Sequence, residues 1–154
     1  DELQIKLPSA LVNRYSLLKD SKDIYRWGVY IRPKIETLFD NNITFIGDSA
    51  HPIVPFMGQG GCLALEDAYA FGNILHRHNS DFRKTQNIYQ LLRIDRIKSI
   101  HIQSLNQAKL NHLSNPILIF FRNLLMKYTG VISNRTKNIW SYDITKALNP
   151  NDFK

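Results

Sequence analysis

The chain has 154 residues, 44% hydrophobic and 21% charged, which suits one globular domain and excludes an intrinsically disordered chain. Cys62 is its only cysteine, which excludes a disulfide framework and a four-cysteine zinc site, and no apolar run reaches the roughly 18 residues of a membrane-spanning helix. The net charge of +7 is uneven: residues 1–80 hold eight Lys/Arg against nine Asp/Glu, residues 81–154 twelve against four, so all the excess positive charge lies in the second half. The sequence opens on Asp1 and shows no signal peptide.

In chain order, Pro8 to Lys19 predicts a short helix, with Leu11, Tyr15 and Leu18 at helical spacing. Residues 24–32 are rich in β-branched and aromatic side chains and predict a strand that Pro33 stops. Asp40, Asn41 and Asn42 predict a turn, and the apolar run 43–46 a buried strand. From Gly47 to Gly61 the chain reads as a Pro/Gly loop. A helix is expected from about Gly61 to His78, carried by Leu63, Leu65, Ala68, Phe71, Ile74 and Leu75, with Glu66 and Asp67 favouring its first turns. Asn79, Ser80 and Asp81 should break it and cap a long helix over 81–113, with Ile88, Leu91, Leu92, Asp95, Ile97 and Ile102 marking its period. Pro116 should open another helix to about Tyr128, closed by Gly130, with short helical turns behind it. The expected fold class is α+β and mostly helical, with short strands followed by helices.

The chemistry concentrates in Ile43 to Asp67, ITFIGDSAHPIVPFMGQGGCLALED. It reads as a strand, an acid at its carboxyl end, a Pro/Gly loop and a helix start. Ligands of open α/β sheets sit outside the carboxyl ends of strands. Asp48 there can accept hydrogen bonds from sugar or polyol hydroxyls. Gly58, Gly60 and Gly61 leave N–H groups bare at a helix start, which favours anions or electron-rich oxygens. The loop suits a large polar cofactor.

The run Gly47-Asp48-Ser49-Ala50-His51-Pro52, with Pro55, Gly58-Gln59-Gly60 and Glu66-Asp67-Ala68, resembles the second FAD-binding motif of single-component aromatic-ring flavin monooxygenases. These are the para-hydroxybenzoate hydroxylase-like enzymes, and the salicylate hydroxylase group in particular. About ten positions match at fixed spacing, with Ser49 in place of an alanine. Trp27 to Tyr30, then Tyr89, Arg93 and Arg96, then Arg122-Asn123 and Trp140 to Asp143 extend the likeness over most of residues 24–148. The resemblance implies the C-terminal portion of an FAD/NAD(P)-binding α/β monooxygenase fold. Residues 1–42 would end the substrate-domain sheet, 43–80 would form the strand–loop–helix of the FAD-binding domain, and 81–154 a helical tail.

By position, the resemblance implies that Asp48 bonds the ribityl chain of FAD and that Gly47 lies near the pyrophosphate. Pro52 and Pro55 would line the flavin ring and substrate pocket. The N–H groups around Gly58, Gln59, Gly60 and Gly61 would face the N1/O2 edge of the isoalloxazine. Pro55 and His51 are the candidate catalytic residues, and for His51 a loop position packed beside the cofactor competes with a role as base. NAD(P)H would reduce the flavin, and one oxygen atom of O2 would pass to an aromatic ring. The family's N-terminal G-x-G-x-x-G is absent from this sequence. The chain is therefore expected to be a truncated piece, one part of a split protein or a degenerate product, inactive alone and binding FAD weakly or not at all. Its partners would be the N-terminal FAD-binding portion and a small aromatic substrate, in the cytoplasm.

Other readings stand beside these. A ring hydroxylase of ubiquinone synthesis is a second enzyme class, and a non-catalytic remnant or helical interaction module is a different one. Glu66 and Asp67 read as structural, Cys62 as a packed thiol, and His101 and His112 as solvated; no metal site is expected from His76 and His78. The basic half has no recognised nucleic-acid module, so no nucleic-acid partner is expected. Its apolar stretch from Ile117 to Met126 suits either a face covered by an N-terminal portion, the favoured reading, or a weak, peripheral contact with a membrane surface.

Overall fold

The computed structural model describes residues 28–129 and 137–148. The helix expected over 8–19, residues 24–27 of the expected strand and the closing Gly130 lie outside them. Strands β1 (Phe39–Asp40) and β2 (Ile43–Thr44) form an antiparallel hairpin with Phe39 opposite Thr44 and Asp40 opposite Ile43. The expected turn joins them, with Asn41 at φ +49°, a conformation asparagine tolerates better than most residues. Phe45 N–H donates to Leu38 O at 2.8 Å and extends the pairing by one bond.

Two strand expectations fail for one reason. Residues 28–32 are irregular, and the 43–46 run is a short hairpin arm with Ile43 exposed. A buried strand needs ladder neighbours on its edges. Among the described residues β2 has only β1 beside it, and residues 28–32 have no ladder at all. Arg32 instead ties its segment down by donating to Ser49 O and Ala50 O, both at 3.2 Å.

Helices supply the rest of the architecture. Between the hairpin and the first of them, Gly47–Ser49 and Pro55–Met57 form 3-10 turns where a loop was expected. Helix α1 runs over Gly60–Arg77 and α2 over Phe82–Asn111. Asn79 (φ +52°) and Ser80 (φ +64°) reverse the chain, and the Asp81 carboxylate accepts from Lys84 N–H to cap α2, as the sequence predicts. Helix α3 spans Pro116–Tyr128, with Asn115 Oδ1 accepting from Ile117 and Leu118 N–H. Residues 137–140 make a helical turn, and α4 (Ile144–Ala147) is capped by Asp143. The mostly helical α+β reading holds.

The core lies where α1 packs on α2. Leu63, Asp67, Ala70 and Ile74 form the buried stripe of α1, and Tyr89, Arg93, Ile97, Ile100 and Ser104 that of α2. Leu65, Ala68, Leu91 and Ile102, expected to support these helices, face outward. Burying each apolar side chain of the stripes contributes about 1.5–3 kcal/mol. One acid on the first stripe and one base on the second interrupt the apolar pattern, and they build the site.

Candidate functional site

The turn after β2 is held from below by a single carboxylate. Gly47 N–H donates to Asp67 Oδ2 at 3.2 Å, and His51 Nε2–H donates to the same oxygen at 2.5 Å. Asp67, about two turns into α1, thus grips both ends of Gly47-Asp48-Ser49-Ala50-His51. Gly47 sits at φ +59°, and a Cβ on it would lie 3.1 Å from the Ala64 Cβ, so any side chain there strains the turn and presses on α1. Ser49 Oγ closes the turn locally, donating to Ile46 O while accepting from Ile46 N–H.

The other oxygen of Asp67 faces α2. Arg93 Nε–H donates to Asp67 Oδ1 at 2.8 Å, and a terminal nitrogen of Arg93 pairs with Glu66 Oε2 at 2.7 Å. Arg96 reaches Glu66 Oε1 at 3.2 Å and donates to Ile139 O at 3.0 Å. The Tyr142 ring lies under the Arg96 guanidinium at 4.2 Å, and its hydroxyl is 3.3 Å from an Arg93 nitrogen. His51, Asp67 and Arg93 are fully buried. Burial pushes the Asp67 carboxyl up, but the hydrogen bonds from His51 and Arg93, with their charges, outweigh it and hold it below the ordinary carboxylate value. Burial pulls Arg93 down, and Asp67 and Glu66 more than offset that, so it stays a cation. Beside them burial, reinforced by the Asp67 charge, raises Tyr89 above its usual value, and its hydroxyl donates to Phe45 O at 3.2 Å.

Above this cluster the loop presents its polar groups outward. Asp48 is exposed on the turn, and Gly60, at the start of α1, sits so close that a Cβ on it would come within 3.9 Å of Asp48 Oδ1. Gln59 is the N-cap residue of α1 and offers no side-chain cap, so the positive end of the helix stands beside the Asp48 carboxylate without a capping side chain. A Cβ on Gly61 would meet nothing within 4 Å, so the fold itself sets no demand for a bare backbone there. Gly58 (φ +63°) ends the turn that Pro55 begins, Pro55 is exposed, and Pro52 is half-buried. The loop is anchored again from α2, where Ser104 Oγ donates to Val54 O at 2.7 Å.

Of the residues singled out from sequence, Asp48, Pro55, Gly58 and Gly61 are exposed and Gln59, Gly60 and Pro52 are half-buried along one loop. Gly47 and His51 turn inward to Asp67. His51 is therefore enclosed, with its Nε2 bonded to Asp67 and its Nδ1 buried without a hydrogen-bond partner among the described residues. Glu66 and Asp67 are structural as expected, though they lie beyond the first turn of α1. Cys62 is exposed, not packed, because the buried stripe of α1 runs through its neighbour Leu63. His101 is buried, not solvated, because it faces inward one residue after Ile100; burial, with the neighbouring His51 charge, lowers its pKa. His112 stays exposed against the edge of Phe56. No group of three or more His, Cys, Asp or Glu among the described residues could hold a metal ion.

Sequence reading missed the Arg93–Asp67 pair. A signal was there: each charge stands on the apolar stripe of its helix, Asp67 four residues after Leu63 and Arg93 four after Tyr89. Opposite charges on two buried stripes find each other.

No family model matches the chain. It is 37% identical over 102 residues to 3-hydroxybenzoate 6-hydroxylase 2 of Aquipseudomonas alcaligenes, covering 66% of this chain and 32% of that protein. It is 31% identical over 110 residues to violacein synthase of Chromobacterium violaceum, covering 71% and 25%. Among solved structures it is similar to HpxO of Klebsiella pneumoniae complexed with FAD and uric acid, with a TM-score of 0.55 at 27% identity over 66% of this chain and 25% of that one. The likeness to FAD-dependent aromatic hydroxylases thus holds in sequence and in fold, while the chain spans only about a quarter to a third of the length of these relatives.

Proposed function

We propose that this chain forms the flavin-edge portion of an FAD-dependent aromatic hydroxylase that uses NAD(P)H and O2, its N-terminal FAD-binding portion lying outside these 154 residues, in the same gene product or in a separate chain. The observation that carries this reading is the exposed Asp48 carboxylate beside the uncapped start of α1, on a turn fixed from beneath by Asp67. A carboxylate and a row of backbone N–H groups are a donor set that fits a ribityl chain and the electron-rich edge of a flavin. FAD, when bound, would supply the redox chemistry and the activation of oxygen.

This chain's residues would bind and orient it. Asp48 accepts from ribityl hydroxyls, Gly47 keeps the turn close to the pyrophosphate, and Gly58, Gln59, Gly60 and Gly61 offer N–H groups to the N1/O2 edge. The positive end of α1 favours negative charge there. Pro52 and Pro55 line the ring and the substrate side. His51 acts through Asp67 as a positioning residue. The substrate is a small aromatic compound, the class named for several relatives, and the location is cytoplasmic.

The test is reconstitution. The chain alone should retain little or no FAD after purification. Mixed with an N-terminal portion bearing G-x-G-x-x-G, it should restore flavin binding, and Asp48→Ala should weaken that binding about tenfold or more. Absence of binding in the mixture, or indifference to Asp48→Ala, refutes the proposal. NAD(P)H oxidation stimulated by phenolic acids and not by prenylated phenols would separate it from a ubiquinone-pathway hydroxylase.

A further inference from the structure

Helix α3 stands apart from the cluster and takes no part in the flavin reading. None of its thirteen residues is buried. At 100° per residue, Ile117, Leu118, Phe120, Phe121, Leu124, Leu125 and Tyr128 fall within an arc of roughly 160°. All seven are exposed, Phe121 at 59% and Tyr128 at 71%. The opposite side carries Ile119, Arg122 and Met126, which are half-buried. Arg122 fixes that orientation by donating to Leu110 O, near the end of α2, at 2.7 Å. So α3 is held by its polar and half-buried side and turns its apolar side outward.

The sequence on either side of this face carries one sign of charge. No Asp or Glu occurs between Asp95 and Asp143, while Lys98, Lys109, Lys127 and Lys137 in that interval are exposed lysines. Lys127 lies at the edge of the apolar arc with its ammonium 5.3 Å from the centre of the Tyr128 ring. An apolar arc with an amphipathic aromatic and a long cationic side chain at its rim matches the interfacial zone of a bilayer, where hydrocarbon, then ring, then ammonium meet increasing polarity. The helix is not a span: no helix among the described residues is long and apolar enough to cross a membrane.

We infer that the outward face of α3 docks on an anionic lipid surface, with Phe121, Leu124 and Tyr128 at the acyl boundary and Lys127 and Lys109 among the headgroups. The single sign of charge favours lipid over a second copy of this chain, because two copies would oppose like charges. The inference does not need the flavin reading to hold, but it needs this face to stay clear of the N-terminal portion, so vesicle binding lost on mixing with that portion overturns it.

The 154-residue chain is sedimented with vesicles of phosphatidylcholine alone and of phosphatidylcholine with phosphatidylglycerol, at low and high salt. Binding is expected only to the anionic vesicles and should fall steeply with salt. Leu124→Asp should abolish it. Lys127→Glu, which spares the apolar face, should weaken it about tenfold or more. Circular dichroism should show native helix content in both variants. No binding to anionic vesicles at low salt overturns the inference, as does equal binding to neutral ones. Binding unchanged in both variants overturns it too. So does a concentration-dependent dimer, seen by analytical ultracentrifugation and lost in Leu124→Asp, without vesicle binding.

Discussion

The α1–α2 contact and α3 use similar numbers of apolar side chains to opposite ends. Between α1 and α2 the stripe is interrupted by Asp67 and Arg93, yet the stripe residues are buried. Along α3 an apolar arc is uninterrupted by acids, yet no residue is buried. Apolar content therefore does not decide what lies inside. A partner surface does, and in the first region that surface is fixed by ions that tolerate only one arrangement. The acid cluster gives register and holds a loop, and the apolar helix is free to meet something else.

The comparison is most sharply broken at Arg93. Arg93→Ala leaves Asp67 and Glu66 without their shared cation in a buried setting and should cost about 3–5 kcal/mol, read as a lowered urea midpoint. A loss below about 1 kcal/mol would mean that water, not Arg93, satisfies the acids.

Next comes pH. The folded-state pKa of Asp67 lies below its ordinary value of 3.8, so its contribution is complete above that value and disappears as pH falls through the lower folded one. The stability gap between the parent and Asp67→Asn should accordingly be widest near neutrality and close as the solution is acidified below about pH 4. A gap that stays constant with pH would show that shape, not charge, is what Asp67 supplies.

Smaller still is Tyr89→Phe, which removes the hydroxyl that donates to Phe45 O and should cost about 1 kcal/mol in thermal or urea unfolding. At the far end, Phe120→Ser on α3 should change stability by no more than about 0.5 kcal/mol, since that ring is 63% exposed. A loss as large as that of Tyr89→Phe would show α3 packed in solution and erase the contrast.

The helices were legible because their signals are local. Asp81 and Asn115 stand at caps, Pro116 at a first turn, and the periods of α1 and α2 are long. The irregular course of the chain from Gly47 to Gly61 was legible from its glycines and prolines. The strands were not, since β-branched and aromatic residues make a strand only when neighbours accept their backbone bonds. Nor was the ion cluster, whose members lie 16, 26 and 30 positions apart. The basic second half also misled. Several of its cations bond acceptors of the chain itself: Arg93 and Arg96 reach acids, Arg83 reaches Asn41 O and Arg122 reaches Leu110 O. Charge counted along a chain says little until one sees which guanidinium groups serve as internal donors.

The grip of Asp67 on two other stretches of chain, and through Arg93 on a third, has a kinetic consequence. Its carboxylate joins Gly47 across 20 positions, His51 across 16 and Arg93 across 26, and Arg93 reaches Tyr142 across 49 more. Each closure alone orders a loop for little return, since loop entropy must be overcome before the contact rewards it. Docking α1 on α2 with the acid still unmatched would bury a bare charge. Half-assembled states are thus disfavoured on both counts. The turn that carries Asp48 should acquire its shape in the same late step that seats the two helices, not before it.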